Sequence, residues 1–161
     1  MSKRKLDKTT TCPVARVVDV IGDRWSLMII RDAFDGVRRF GAFQKSLGAA
    51  RNILAARLRR LVEEGILQTV PASDGTSYQE YVLTPKGLDL FKVLVGLRQW
   101  GEDHLYRDGE WHSLLVEQAS GRPVPKLTLH DADGRPLAPD QTRVQKEPPG
   151  AAAPTPAPAL P

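Results

Sequence analysis

The feature that most constrains the fold is a pair of short helical patterns separated by one glycine. Apolar residues recur at helical spacing from Phe40 to Leu47, and the spacing resumes after Gly48 and runs to about Glu64, where Gly65 ends it. Helices this short are marginal alone and gain their stability from tertiary contacts. The sequence therefore predicts two helices that share one core and are joined by a tight turn.

A strand-forming pattern follows this pair directly. Residues 66–71 and 78–83 are rich in strand-forming side chains, and they flank the turn sequence Ser73-Asp74-Gly75-Thr76. We expect a two-stranded hairpin with a mobile tip, which is called the wing below.

Two helices are also predicted before the pair. Pro13 suits the first position of a helix that ends near Ile21, because its missing N–H would have no partner there. Gly22 then stops this helix, and Asp23 suits the N-cap of a buried helix that reaches Phe34. The core is therefore expected to contain four helices and the wing.

A long apolar stretch begins at Thr84 and Pro85 and continues to Trp100 or Tyr106. One continuous helix of about 20 residues would be about 30 Å long. Its apolar residues cover more than half of the helical circumference, whereas packing on one core needs a stripe of roughly 100°. We therefore expect a second copy of the chain to cover the surplus face. The residues assigned to this dimer contact are Leu90, Val93, Leu94, Leu97 and Trp100.

The chain has 161 residues, enough for one full core and a small appendage. The predicted fold class is mainly α with a small β-hairpin (α+β). After Gly109 the pattern weakens to short candidate strands at residues 114–117 and 126–130. The predicted organisation is a disordered basic arm (1–11), a main domain (12–106), a small appendage (107–147) and a disordered Pro/Ala-rich tail (148–161).

Positive charge is concentrated on the paired helices. The formal net charge of +4 gives only a weak field by itself. No acidic residue occurs between Asp35 and Glu63, however, and a polyanion is the natural partner of such a stretch. Its basic residues are Arg38, Arg39, Lys45, Arg51, Arg57, Arg59 and Arg60.

The predicted helix at residues 51–64 has two contrasting faces. Alanines on one face would let the backbone approach base edges, while Asn suits adenine and Arg suits guanine or phosphate in a major groove. An ordinary solvated helix with surface arginines is the alternative. The apolar face consists of Leu54, Leu58, Leu61 and Val62. The opposite face consists of Asn52, Ala55, Ala56, Arg59 and Arg60.

A series of short motifs occurs in a fixed order along residues 12–106. They are Cys12-Pro13-Val14, Ile21-Gly22-Asp23-Arg24-Trp25, Gly36 with Arg39-Phe40, Leu54 with Arg57-Leu58, Glu64-Gly65, and Tyr81-Val82-Leu83-Thr84 with Gly87. Together they resemble the HxlR-type regulators. The resemblance implies a winged helix-turn-helix with a long C-terminal dimerisation helix. It also implies a homodimer that binds a pseudo-palindromic duplex DNA operator and represses or activates a promoter, with repression as the working prediction.

The resemblance also assigns residues to DNA. By position, contact falls on the start and outer face of the second helix of the pair. Arg39 and Arg57 are assigned either phosphate or structural contacts. The DNA-facing residues are then Arg51, Asn52, Ala55, Ala56 and Arg59.

Two segments depart from the family pattern. The wing has Gln68, Asp74 and Glu80 where members often have basic residues, so wing contact with DNA is not expected. Residues 120–134 resemble in layout a cysteine-bearing segment of longer members but contain no cysteine. No zinc site is predicted there.

Cys12 is the only cysteine, which excludes an internal disulfide and fits a cytoplasmic protein. Some relatives use a cysteine here as a redox sensor, and a helix N-terminus favours the reactive thiolate. The alternative is a small packed or idle residue, and any effector stays unidentified.

The basic residues of the arm could follow DNA or could simply be solvated; they are Lys3, Arg4, Lys5 and Lys8.

Other function classes find little support. The sequence has no Gly-rich phosphate motif and no catalytic cluster, so we predict neither an enzyme nor a cofactor. The longest apolar run, residues 27–30, is too short to span a bilayer. The remaining alternative is a winged protein-interaction module without specific DNA binding. The histidines show no metal-ligand spacing, and these are His104, His112 and His130.

Overall fold

The computed structural model of the protein describes residues 11–146. The disorder predicted for residues 1–11 and 148–161 concerns residues outside this range, except for Thr11. The chain divides into two compact units, Met1–Ser113 and Leu114–Pro161. The first unit contains the predicted helices and the wing.

Helices α1 (Pro13–Ile21) and α2 (Arg24–Phe34) form where the sequence predicts them. The N-cap of α2 is Asp23, whose carboxylate accepts hydrogen bonds from the backbone N–H groups of Trp25 and Ser26, both at 3.1 Å. A side-chain oxygen in this position replaces the partner that the first N–H groups of a helix lack. The start of α2 is therefore fixed by its own sequence.

The predicted pair consists of α3 (Phe40–Leu47) and α4 (Arg51–Glu63). Gly48 ends α3 with a φ of +60°, and its N–H donates to the carbonyl oxygen of Gln44 at 3.0 Å. Glycine adopts this left-handed conformation at little cost, whereas most side chains resist it. The turn at Gly48 thus sets the angle at which α4 leaves α3.

Side chains from α2, α3 and α4 meet in one core. The apolar face predicted for α4 is buried, and Val62 packs at its edge. Burial of this face leaves the opposite side of α4 directed away from the core. The fully buried side chains of the three helices include Ile29, Ile30, Phe43, Leu54, Leu58 and Leu61.

The wing consists of β1 (Leu67–Pro71) and β2 (Gln79–Leu83), which pair antiparallel along all five residues of each strand. At the tip, the Asp74 carboxylate accepts a hydrogen bond from the Thr76 N–H at 3.1 Å. Gly75 between them has a φ of +75°. The predicted hairpin is therefore confirmed, with an Asp-Gly turn sequence at its end.

The prediction of one continuous helix from Pro85 is wrong. The structure has a short α5 (Pro85–Leu88) and a separate α6 (Phe91–His104). The chain tightens between them, because the N–H of Leu90 bonds to the carbonyl oxygen three residues earlier, that of Gly87, at 3.1 Å. Two turn residues, Asp89 and Leu90, therefore separate α5 from α6.

Helix α5 is joined closely to the base of the wing. The Thr84 hydroxyl donates to the Gly65 carbonyl oxygen at 2.6 Å and accepts from the Gly87 N–H at 3.1 Å. A side chain at Gly87 would collide with the carbonyl oxygen of Ile66. Glycine is required here for close approach, since the backbone conformation itself is ordinary.

The second unit contains turns rather than extended strands. In its described part, residues 114–146, the predicted strands are reduced to two isolated bridges, Val116 with Pro123 and His130 with Pro136. The Asp131 carboxylate closes the second turn by accepting from the backbone N–H groups of Asp133 and Arg135, both at 2.9 Å. The unit boundary falls after Ser113, beyond the end at residue 106 expected from sequence.

Candidate nucleic-acid interface

The outer face of α4 is open to solvent. Arg51, Asn52, Ala56 and Arg59 are exposed, and Ala55 is half-buried. These are the five residues that the sequence assigned to DNA, and the structure brings them to one side of one helix. Arg51 and Arg59 make this side cationic. Ala55 and Ala56 lie between the longer polar side chains and keep the side small.

The N-terminus of α4 is open as well. Its N-cap, Ala50, has no side chain that can accept a hydrogen bond, and the first turn of α4 contains no acidic residue. Unpaired N–H groups and the helix dipole make such a terminus a site for an anion. The Arg51 guanidinium lies 5.4 Å from the centre of the Phe40 ring, which holds its charge beside this terminus.

Arg57 and Arg60 of α4 pair with acidic residues of the protein itself. The Nε of Arg57 lies 3.1 Å from Oδ1 of Asp23, and the Nη2 of Arg60 lies 3.8 Å from Oδ2 of Asp19 and 3.2 Å from Oε1 of Glu64. These ion pairs connect α4 to α1 and to the start of α2. Of the two roles that the sequence left open for Arg57, this geometry favours the structural one.

Arg39 ties the wing to the start of α3. Its guanidinium pairs with Asp74 at the wing tip and with Oε1 of Glu80 at 3.4 Å. Glu80 is only 4% exposed, and it also accepts a hydrogen bond from Ser73 at 3.2 Å and lies 3.8 Å from Arg38. The hydrogen bond from Arg39 holds the pKa of Asp74 well below its usual range. The wing acids therefore serve internal contacts.

Sequence reasoning missed Ile53. It lies on α4 beside Asn52 and is 38% exposed, although its helical neighbours Leu54 and Leu58 are fully buried. An apolar side chain at the start of a major-groove helix can contact a thymine methyl group. The signal was present in the sequence, because residue 53 falls outside the apolar arc of the wheel.

The structure divides the five residues predicted to form the dimer contact. Leu90 and Leu94 pack against the core of their own chain. Val93, Leu97 and Trp100 are 42%, 50% and 57% exposed, and they follow one another at the spacing of one helix face. The exposed apolar set also includes three valines of α1 that the sequence did not assign, namely Val14, Val17 and Val18.

Cys12 is exposed at the N-cap of α1, and its thiol is not part of a disulfide. Within residues 11–146, no group of three His, Cys, Asp or Glu side chains is arranged to hold a metal ion. None of the helices in the same range is long and apolar enough to cross a membrane.

The fold and the exposed α4 define the class of winged helix-turn-helix DNA-binding proteins. The family model described as HxlR-like helix-turn-helix matches residues 20–109. The chain therefore belongs to this family of transcriptional regulators. The sequence-based assignments of family and fold class are both confirmed.

Individual relatives agree with this assignment. The chain is 48% identical over 94 residues to an uncharacterised HTH-type transcriptional regulator of Mycobacterium tuberculosis, covering 58% of this chain and 60% of that protein. The chain thus matches about three fifths of that relative's length. It is also 33% identical over 106 residues to an uncharacterised HTH-type transcriptional regulator of Synechocystis, covering 65% of this chain and 78% of that protein.

Similarity to a solved structure extends into the second unit. The crystal structure of PA1607, a candidate transcription factor, is 58% identical to this chain with a TM-score of 0.82, and the match covers 87% of this chain and 98% of PA1607. The reduced form of the redox regulator HypR is 28% identical with a TM-score of 0.54, covering 58% of this chain and 94% of HypR.

Proposed function

We propose that this protein is a sequence-specific regulator that binds a pseudo-palindromic DNA operator as a homodimer and represses the adjacent promoter. The observation that carries the proposal is the exposed outer face of α4, where Asn52 and Arg59 project beside Ala55 and Ala56. Such a regulator works where the chromosome is, in the cytoplasm. DNA binding itself needs no catalytic group.

The chemistry of α4 suggests how it would read DNA. Asn52 can bond an adenine edge in two places, and Arg59 can bond guanine or phosphate. The small Ala56 lets the helix backbone enter a groove about 12 Å wide. Arg51 and the open N-terminus of α4 would bind a phosphate and fix the helix in register. Ile53 would contact a thymine methyl group.

The exposed faces of α1 and α6 support the homodimer. Monomeric proteins rarely expose large apolar patches, and those that occur often mark interaction sites. A homodimer paired through Val93, Leu97 and Trp100 would carry two copies of α4, one for each half of the operator. Their half-sites would then lie about one or two helical turns apart.

The decisive test is footprinting and gel-shift titration on the native upstream region. Asn52→Ala and Arg59→Ala should each weaken specific binding by about 1 to 3 kcal/mol and leave binding to random DNA nearly unchanged. Arg122→Ala, an exposed arginine of the second unit, is the matched control. A folded protein that protects no specific sequence would instead favour the protein-interaction module.

The redox role of Cys12 stays a prediction, supported by the exposed thiol at the start of α1 and by the redox regulator HypR among the similar structures. Oxidant should then change the DNA affinity of the wild type but not that of Cys12→Ser. Equal responses of the two proteins would remove this role.

A further inference from the structure

A cavity of about 240 Å³ lies between α1 and the segment that joins the wing to α6. Neither the sequence nor the family assignment gives it a role. Its floor includes Ile66, which follows the end of α4 through Gly65. The lining residues are Arg16, Val17, Val20, Ile21, Ile66, Lys86 and Leu90.

The lining combines an apolar surface with positive charge. Five of its seven residues are aliphatic, two are cationic, and none is acidic. The Lys86 ammonium is held by a hydrogen bond to the carbonyl oxygen of Glu64 at 2.5 Å, which uses one of its three donors. The nearby carboxylates of Asp19 and Glu64 both face Arg60, at 3.8 Å and 3.2 Å. The cavity therefore suits a ligand with an apolar body and one negative charge.

The volume limits the size of that ligand. Sites for drug-sized ligands commonly measure about 300 to 1,000 Å³. A cavity below this range has no room for a nucleotide or a flavin, but it can hold one ring or a short aliphatic chain. A carboxylate is the simplest group that would place a negative charge beside the Lys86 ammonium.

We propose that this cavity binds a small hydrophobic carboxylate and is an effector site. Its walls belong to α1, which also carries exposed valines, and to two segments beside it, one that follows α4 (Ile66) and one that precedes α6 (Lys86 and Leu90). Asp19 of α1 pairs with Arg60 of α4, and Lys86 bonds the last turn of α4. A ligand seated between these elements changes DNA affinity if it binds their two arrangements unequally.

Binding is tested by calorimetry on the full chain with benzoate, cyclohexanecarboxylate and hexanoate as probes. At least one acid should bind ten times more tightly than its uncharged amide and than acetate. Lys86→Met and Val20→Phe should each weaken binding at least tenfold, because one removes the charge and the other fills the cavity. Lys86→Arg should restore binding, and Lys45→Met on α3 should leave it unchanged. Melting curves identify a variant that fails to fold.

Three results would overturn the site: no binding by any of the acids, equal binding of acid and amide, or undiminished binding by Lys86→Met. A fourth combines two observations: the wild type binds no acid, and Val20→Phe changes from dimer to monomer. The cavity would then be part of the interface with a second copy of the chain.

The effect on DNA rests on the proposed function, whereas binding does not. The acid that binds should change operator affinity at least fivefold in the wild type and leave Lys86→Met unaffected. Acid binding by a protein without a specific operator would refute the proposed function and leave the site standing. Operator binding that no bound acid alters would refute the effector role alone.

Discussion

The N-termini of α2 and α4 are built in opposite ways. At α2, the Asp23 carboxylate accepts hydrogen bonds from two backbone N–H groups and from the Ser26 hydroxyl, the last at 2.6 Å. It also pairs with Arg57. At α4, Ala50 offers no acceptor, and the neighbouring charge is that of Arg51.

Both termini carry the same partial positive charge, because both helices align their peptide dipoles. Ser26 is fully buried, so the groups around it must find partners within the protein. Arg51 and Asn52 are exposed, so the first N–H groups of α4 can donate hydrogen bonds to water or to an external anion. The contrast separates a terminus that stabilises the fold from one that is available to a phosphate.

The most direct way to break this contrast is Ala50→Asp. The new carboxylate would cap α4 and occupy the position proposed for a phosphate, so specific DNA affinity should fall by about 3 kcal/mol, roughly a hundredfold. The free energy of unfolding should stay the same or rise by about 1 kcal/mol. Gel-shift titration and urea denaturation measure the two effects. Ala50→Ser caps without charge and should lose much less affinity; equal DNA binding by Ala50→Asp and the wild type would contradict an open anion site.

The converse change is Asp23→Ala, which opens the N-terminus of α2. We expect the free energy of unfolding to fall by about 2 kcal/mol, because a helix cap is lost and buried donors are left without an acceptor. Urea denaturation measures this loss. DNA affinity per folded molecule should change little, and Asp23→Asn, which can still cap, should recover most of the stability. An undiminished stability of Asp23→Ala would show that the cap does not fix α2.

A smaller effect is expected for Arg57, which links the middle of α4 to the N-terminus of α2. Arg57→Ala should reduce stability by about 0.5 to 1 kcal/mol, since its ion pair with Asp23 is partly exposed. The salt dependence of DNA binding should not change. A phosphate contact at Arg57 would instead lower the slope of log affinity against log salt by about 1.

The smallest effect concerns the wing tip and appears only with pH. The hydrogen bond from Arg39 lowers the pKa of Asp74 below its ordinary value of 3.8. The pair therefore stabilises the folded state above about pH 4. This contribution is lost as the pH falls through the lower pKa of the folded state. The stabilities of the wild type and Asp74→Asn should converge toward low pH; a constant difference would rule out ionisation of Asp74 as the cause. The difference should be small throughout, because both side chains are well exposed.

The sequence predicted those features that local residues determine. Asp23 predicts the start of α2, Gly48 predicts the turn before α4, and Gly65 predicts the end of α4. These predictions are possible because caps and left-handed glycines act within a few residues. The outer face of α4 was also predictable, since helical periodicity alone separates Asn52 from Leu54.

Features that depend on distant partners were not predictable. Arg57 and Arg59 look alike in the sequence, and only the folded chain brings Asp23 to one of them. The close approach of Gly87 to Ile66 likewise joins residues that are far apart in the sequence. Periodicity predicted more apolar surface after Pro85 than one core would cover, but it could not tell which residues face the core.

The close contact at Gly87 has a consequence for operator choice. Because no side chain separates α5 from the carbonyl of Ile66, the backbone that leads to α6 lies directly against a residue that follows α4. The proposed dimer would then hold its two copies of α4 at a fixed spacing. It should reject an operator lengthened by half a helical turn, even when every base that α4 touches is kept.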